Sequence, residues 1–459
     1  MTELAAGKVI KKYLKSARLT PARMIFFGFV VLILLGTLIL MLPVSAKSGG
    51  RTGFTDALFT ATSSVCVTGL VVEDTNTYWS LFGKIVILIL IQIGALGIMS
   101  VVTLLSAITG RNLGLSQRMA LKESISNYSL ENIVVMFKNI LKVTFIIEGI
   151  GAIITSIQLI PIYGLAKGIG KGIFHSVSSF CNAGFDVFGT DTNKFTSLTG
   201  FSGNFMMLMT TSVLIVVGGL GFIVWDDVVK NRKFSRFTLH TKIVLVMTAI
   251  LIAGGTIAFL LFESEQTLKG LPLPVKLLNS FFQSVSARTA GFNTISFNDM
   301  NIVTSLIMIV LMFIGAAPGS TAGGIKTTTF FVLIVTVISF LKGRTEVQAF
   351  KKRIAADIIN KAVSIFLLGL TLIMVTTIVL LANDEGSLRQ TLFEAVSAFG
   401  TVGLSTGITP DLCDVSKYQL IVTMLLGRVG IITAFAAFTS MRGKDKITYR
   451  CPEGKITVG

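Results

Sequence analysis

Long uncharged stretches alternate with short basic ones along this chain. Runs without Asp, Glu, Lys or Arg occupy 24–46, 85–110, 195–225, 243–262, 300–325 and 362–383. Each exceeds the ~18 residues that mark a transmembrane helix. The pattern predicts a polytopic membrane protein. The first run is too long for the apolar core of a signal peptide, and a basic tail of about 22 residues precedes it.

Lys and Arg collect at 8–23, 111–142, 230–242, 342–361 and 442–455, which together hold 27 of the 40. The positive-inside rule places both termini and the three basic linkers in the cytoplasm. These clusters divide the chain into a tail (1–22), repeats at 23–110, 136–230, 243–342 and 354–442, linkers at 111–135, 231–242 and 343–353, and a tail at 443–459. Each repeat reads as an apolar run, a short mixed stretch and a second apolar run.

The mixed stretches are copies of one another: FTATSSVCVTGL (59–70), FHSVSSFCNAGF (174–185), FQSVSARTAGF (282–292) and FEAVSAFGTVGL (393–404). All begin with Phe and place Ser fifth (Ser63, Ser178, Ser286, Ser397). All end with Gly followed by Leu or Phe. The third is one residue shorter between Ser and Gly. One such match is an ordinary turn; four in register between spanning segments are a repeat. The Phe-to-Ser part reads as a helix about half the length needed to cross a bilayer. Helix plus loop must return to the outer face, which makes a re-entrant element. Such backbone survives at membrane depth only when packed in protein or lining water.

Carbonyl rings replace an ion's hydration shell without placing full charges in its path. The candidate coordinating residues are Val67, Thr68 and Gly69; Asn182, Ala183 and Gly184; Thr289, Ala290 and Gly291; and Thr401, Val402 and Gly403. None is acidic, as suits a monovalent rather than a divalent cation. Arg288 precedes the third triplet, and an exposed cation on the axis would repel the ion. It is therefore expected to anchor its loop by bonding carbonyls behind it.

Four units with a single glycine per loop resemble the Trk/Ktr/HKT superfamily of potassium transporters, closest to the bacterial KtrB-type membrane subunit, over nearly the whole chain. The resemblance implies an all-α integral membrane protein with eight transmembrane helices. These would form four M1–P–M2 repeats (membrane helix, pore helix, membrane helix), pseudo-fourfold around one central pore per protomer. It implies that the four loops form a selectivity filter. The serine that replaces the first glycine in sodium-preferring relatives is absent at Gly69, which implies K⁺ preference.

Two charges interrupt the later apolar runs, and intramembrane charges are rare. Lys326 follows GAAPGSTAGG, in which Pro318 and four glycines break the helix. One broken run among four points to a specialised element. The string GSTAGGIKT also resembles a phosphate-binding loop, but it has one residue too many before Lys and no soluble strand before it. A kink with a snorkelling lysine is the plainer alternative. The resemblance implies an intramembrane gating loop of Gly315, Ala316, Ala317, Pro318, Gly319, Ser320, Thr321, Ala322, Gly323 and Gly324, with Lys326 at its end. Arg428, in LLGRVG, matches the family's pore arginine, and whether it is barrier or scaffold stays open. Glu148 is expected to pair with a lysine or face a packed helix interface.

Composition agrees with a membrane protein: 14% charged residues, against about a quarter in soluble chains, and a mean hydropathy of +0.80. The net charge of +17 is a topology signal and implies no nucleic-acid partner. Cys66, Cys181, Cys413 and Cys451 show no metal or disulfide spacing, and His175 and His240 lack companion ligands. No linker is long enough for a nucleotide-hydrolysing domain, so the chain is not read as an enzyme. An alternating-access, Na⁺-coupled carrier would show inverted repeats and several broken helices. The resemblance further implies a homodimer in the cell membrane, with K⁺ as the bound and transported ion. It implies control by a cytoplasmic RCK-type ring (KtrA/KtrC-like) that carries ATP or ADP. Na⁺ stimulation stays open, and the basic linkers suit either that ring or anionic lipid.

Overall fold

The computed structural model describes residues 20–97 and 133–438. Most of the N-terminal tail, the linker 111–135 up to Asn132, the C-terminal tail and Cys451 lie outside them. The described residues form α-helices and one hairpin of two-residue strands, β1 (Gln348–Ala349) and β2 (Lys352–Arg353), paired antiparallel.

In chain order the helices are α1 (Pro21–Leu40), α2 (Phe54–Cys66) and α3 (Leu81–Leu96); then α4 (Ile133–Tyr163), α5 (Leu165–Phe180), α6 (Phe205–Leu220) and α7 (Phe222–Asn231). They continue with α8 (Leu239–Glu263), α9 (Leu273–Ser286), α10 (Ile302–Phe313) and α11 (Thr327–Leu341), and end with α12 (Ala356–Asn383), α13 (Leu388–Gly400), α14 (Asp414–Val429) and α15 (Ile431–Phe438).

Helix starts are written locally. Pro21 stands in the first turn of α1, where its missing N–H costs nothing. Ser387 and Gln390 close a capping box on α13, each bonding the other's backbone N–H.

Long and short helices occupy opposite places. Among the described residues four helices are long and apolar enough to cross a membrane: Ala22–Leu40, Lys138–Tyr163, Leu239–Glu263 and Ala356–Asn383. Each is only about a third buried, at 28–33%. Their outward sides carry Leu34, Leu38, Ile153, Ile157, Ile257, Leu261, Met374 and Ile378, an apolar surface that suits lipid. The short helices fill the interior, with Phe59, Ala61, Ser63, Phe180, Phe282, Ser286, Phe393 and Ser397 fully buried. A polar helix inside an apolar ring is what re-entrant backbone requires.

The second membrane segments differ from the expectation of one broken run. α6 and α7 meet at 93° across Gly221, and α14 and α15 at 99° across Gly430. α3 ends at Gly97, whose φ of 79° lies close to the 89° and 88° of those two. The third segment is interrupted by the whole loop between α10 and α11. With each bent pair counted as one span, the described residues hold up to six spans. The reason is steric. Gly94, Gly218 and Gly427, each three residues before a break, lie against the carbonyls of Val65, Phe180 and Phe399 at the ends of α2, α5 and α13. A Cβ at any of them would overlap that carbonyl.

Candidate functional site

Each short helix ends in the same strained turn. Val67, Asn182, Thr289 and Thr401, two residues before the loop glycines, have φ of 58°, 59°, 71° and 50°. Positive φ is a real outlier for the β-branched Val67, Thr289 and Thr401 and costs roughly 1–2 kcal/mol each, whereas Asn at 182 tolerates it. Helix-end hydrogen bonds hold three of these turns: Thr68 N to Ser63 O at 2.8 Å, Ala183 N to Ser178 O at 2.8 Å and Val402 N to Ser397 O at 2.9 Å. In the shorter third copy, Ala290 N bonds Ser286 O at 2.9 Å. The repeated serines finish the job in two ways. Ser63 and Ser397 accept from the N–H of Gly69 and Gly403, both at 3.1 Å. Ser178 donates to Phe185 O at 2.6 Å, and Ser286 donates to Phe292 O.

The four loops meet in a closed ring. A Cβ on Gly69 would lie 2.5 Å from Ala183 O, one on Gly184 2.9 Å from Ala290 O, and one on Gly291 2.5 Å from Val402 O. One on Gly403 would overlap Thr68 O. The order runs from repeat one to two, three, four and back to one. Adjacent glycine Cα atoms pack against one another, as Gly69 does with Gly184 and Gly403. All four helix C-termini, with their negative dipole ends, point at this ring. Backbone carbonyls without a formal charge gather here, chemistry that suits a cation.

Above the ring lies a cavity of about 140 Å³ touched by all four glycines and by Asp74 and Asp186. Asp74 is a latch: Oδ1 accepts from the N–H of Asn76 (3.0 Å) and Thr77 (2.8 Å), and Oδ2 from Phe195 N (2.8 Å). Asp186 has its carboxyl pushed up to about 6, chiefly by burial, against the lowering effect of the Phe188 N–H.

Below the ring lies the loop 315–326. Gly323 abuts the Thr401 side chain, and Gly324 packs on Gly400. Ala317 N bonds Gly219 O (3.1 Å), Gly324 N bonds Gly427 O (3.3 Å), and Phe222 N bonds Gly319 O (3.0 Å). The breaks in α6–α7 and α14–α15 therefore supply the backbone partners this loop needs. Lys326 turns inward, donating to Ala322 O (2.6 Å) and Gly323 O (3.3 Å), and does not snorkel. Arg428 donates to the carbonyls of Thr321, Gly94 (2.6 Å) and Ala95 (3.1 Å), joining the loop to α3.

Over residues 19–449 the chain matches the model of the TrkH family, described as cation transport protein. It belongs to the TrkH family of cation transport proteins. It is 40% identical to the potassium/sodium uptake protein NtpJ of Enterococcus hirae, covering 98% of this chain and all of that protein. It is 38% identical to the Ktr system potassium uptake protein B of Bacillus subtilis, over 98% of this chain and 99% of the other. The crystal structure of the potassium transporter TrkH from Vibrio parahaemolyticus shares the fold. The TM-score is 0.68 at 18% identity, over 90% of this chain and 85% of that one.

One side chain, Arg288, stands differently from the sequence expectation. Arg288 bonds no carbonyl among the described residues; its Nη2 donates to the Thr248 hydroxyl at 3.2 Å, and its Nε has no partner. Glu148 faces a packed interface and meets no lysine among the described residues. Gln92 Nε2 donates to both its oxygens, at 3.0 and 3.1 Å. Cys66 and Cys181 are buried free thiols. The glycine pairs 94/97, 218/221 and 427/430 were missed. Their signal is a repeated G-x-x-G in GALG, GGLG and GRVG.

Proposed function

We propose that this chain is the K⁺-translocating membrane subunit of a Ktr-type uptake system, with channel-like permeation through the four-loop ring as selectivity filter. The observation that carries the reading is the closed cyclic contact of four loop glycines with four neighbouring carbonyls. Val67, Thr68, Gly69, Asn182, Ala183, Gly184, Thr289, Ala290, Gly291, Thr401, Val402 and Gly403 line it. K⁺ preference draws on the names of the relatives and on glycine at all four positions. The chain lies in the cell membrane as four M1–P–M2 repeats, with eight spans when each interrupted second segment counts as one. Both termini are cytoplasmic, as the basic clusters favour.

The loop 315–326 gates the path from below, with Arg428 as its tether. Three carbonyls on one guanidinium support scaffold over barrier, because a cation so committed is held by its neighbours. The relatives' names as Ktr system proteins support a separate regulatory partner, read here as a nucleotide-binding cytoplasmic ring on a homodimer.

The test is flux of K⁺, Rb⁺ and Na⁺ into proteoliposomes. K⁺ and Rb⁺ should enter well ahead of Na⁺. Equal K⁺ and Na⁺ entry would remove the selectivity claim. Deleting 316–323 should raise K⁺ flux, and unchanged flux in folded protein would remove the gate.

A further inference from the structure

Glu148 lies near the middle of α4, 4% exposed. Among the described residues it has no ion-pair partner, although an intramembrane carboxylate normally finds one. Its neighbours are all donors. Gln92, on α3, gives one amide nitrogen to both carboxylate oxygens. The thiol of Cys181 reaches Glu148 Oε1 and Gln92 Oε1, both at 3.6 Å. The Glu148 backbone carbonyl takes the hydroxyl of Ser176 from α5 at 2.7 Å. An ionised carboxylate only accepts, and this surround of donors suits that form. Arg428, whose guanidinium bonds the carbonyls of Gly94, Ala95 and Thr321, makes no ion pair with Glu148.

Cys181 directly precedes Asn182, so the carboxylate stands just behind the second loop. We propose that Glu148, in its ionised form, is a specificity- and affinity-setting residue for the conducted cation, its negative charge being the counter-charge to an ion in the ring. The inference rests on the filter reading above. Loop carbonyls carry only partial charge, and a full charge one layer behind them deepens the well without blocking the path. Glu148, Cys181 and Asn182 are all buried, and buried protein screens a charge less than bulk water does. Gln92 and Cys181 hold the carboxylate at this distance, so that it does not enter the path as a ligand.

The experiment is concentration-dependent K⁺ and Rb⁺ uptake into proteoliposomes by wild type, Glu148→Gln and the exchange variant Gln92→Glu/Glu148→Gln, with isothermal titration of Rb⁺ on the same purified proteins. E148Q keeps the size and one acceptor oxygen, to which the Gln92 amide can still donate, but removes the charge, and should raise KM roughly tenfold with a smaller change in maximal rate. The exchange variant returns the charge to the same cluster and should recover most of the affinity. If E148Q is poorly folded, the titration of the exchange variant decides: wild-type-like Rb⁺ affinity supports the proposal. Wild-type KM in E148Q overturns it, as does an exchange variant no better than E148Q. A wild type that conducts no K⁺ would instead remove the filter reading.

Discussion

Gly69 faces the carbonyl oxygen of Ala183 so closely that a methyl group on its Cα would lie 2.5 Å from that oxygen. With φ at 90°, the position also excludes L side chains on conformational grounds. Gly69→Ser should therefore push loops one and two apart and reduce K⁺ entry relative to Na⁺. The ratio of initial K⁺ and Na⁺ uptake in proteoliposomes measures it. A ratio equal to wild type would separate the contact from selectivity.

Ser63 supports the same loop from behind by accepting the Gly69 N–H. Ser63→Ala leaves a buried donor without a partner, at a cost of about 1–3 kcal/mol. The variant should melt several degrees lower in detergent and lose K⁺ over Na⁺ discrimination. Ser397→Ala, which breaks the matching bond to Gly403, should behave alike.

Arg428→Gln cannot span the carbonyls of Thr321, Gly94 and Ala95 that the guanidinium ties together. Loosening the loop should raise K⁺ flux severalfold in the absence of any regulator. A scan of flux against membrane potential would distinguish this from removal of a charge barrier, which would change the voltage dependence as well as the amplitude.

Asp227 anchors the start of α8 to α7. Its Oδ2 takes both the N–H and the hydroxyl of Thr238 at 2.9 Å, and Asn231 donates to Oδ1 at 2.5 Å. Asp227→Ala leaves the Thr238 N–H without its acceptor and should cost about 2 kcal/mol of stability. Thermal unfolding followed by tryptophan fluorescence would show it, with uptake per folded molecule little changed.

Glu73, half-buried at the outer surface, has its carboxyl raised above the usual 4.5, first by burial and then by the neighbouring Asp56. The folded chain thus keeps this proton at pH values where the unfolded chain has lost it. Stability should fall as pH rises from about 4.5 through the raised value. Glu73→Gln should flatten that part of the melting curve against pH, leaving the rest in place.

Much of the ring was legible in the sequence because repetition fourfold in register is a strong local signal. Ser63, Ser178, Ser286 and Ser397 and their glycines could be aligned by eye. Arg288 could not be read correctly: its partner, the Thr248 hydroxyl, is 40 residues away on another helix. For Glu148 the packed interface was legible, but its partners Gln92 and Cys181, which come from two other elements, were not.

By itself the sequence determined the apolar, membrane-type character of the chain and the four glycine-ended loops. Hydropathy, charge placement and glycine act within a few residues of themselves. Only the tertiary structure decided that the loops close in the order one, two, three, four. It also decided that the second segments bend at Gly221 and Gly430, and that their freed backbone groups hold the loop beneath the ring. Those facts depend on which carbonyl meets which glycine across a hundred residues of chain, and no local preference encodes that meeting.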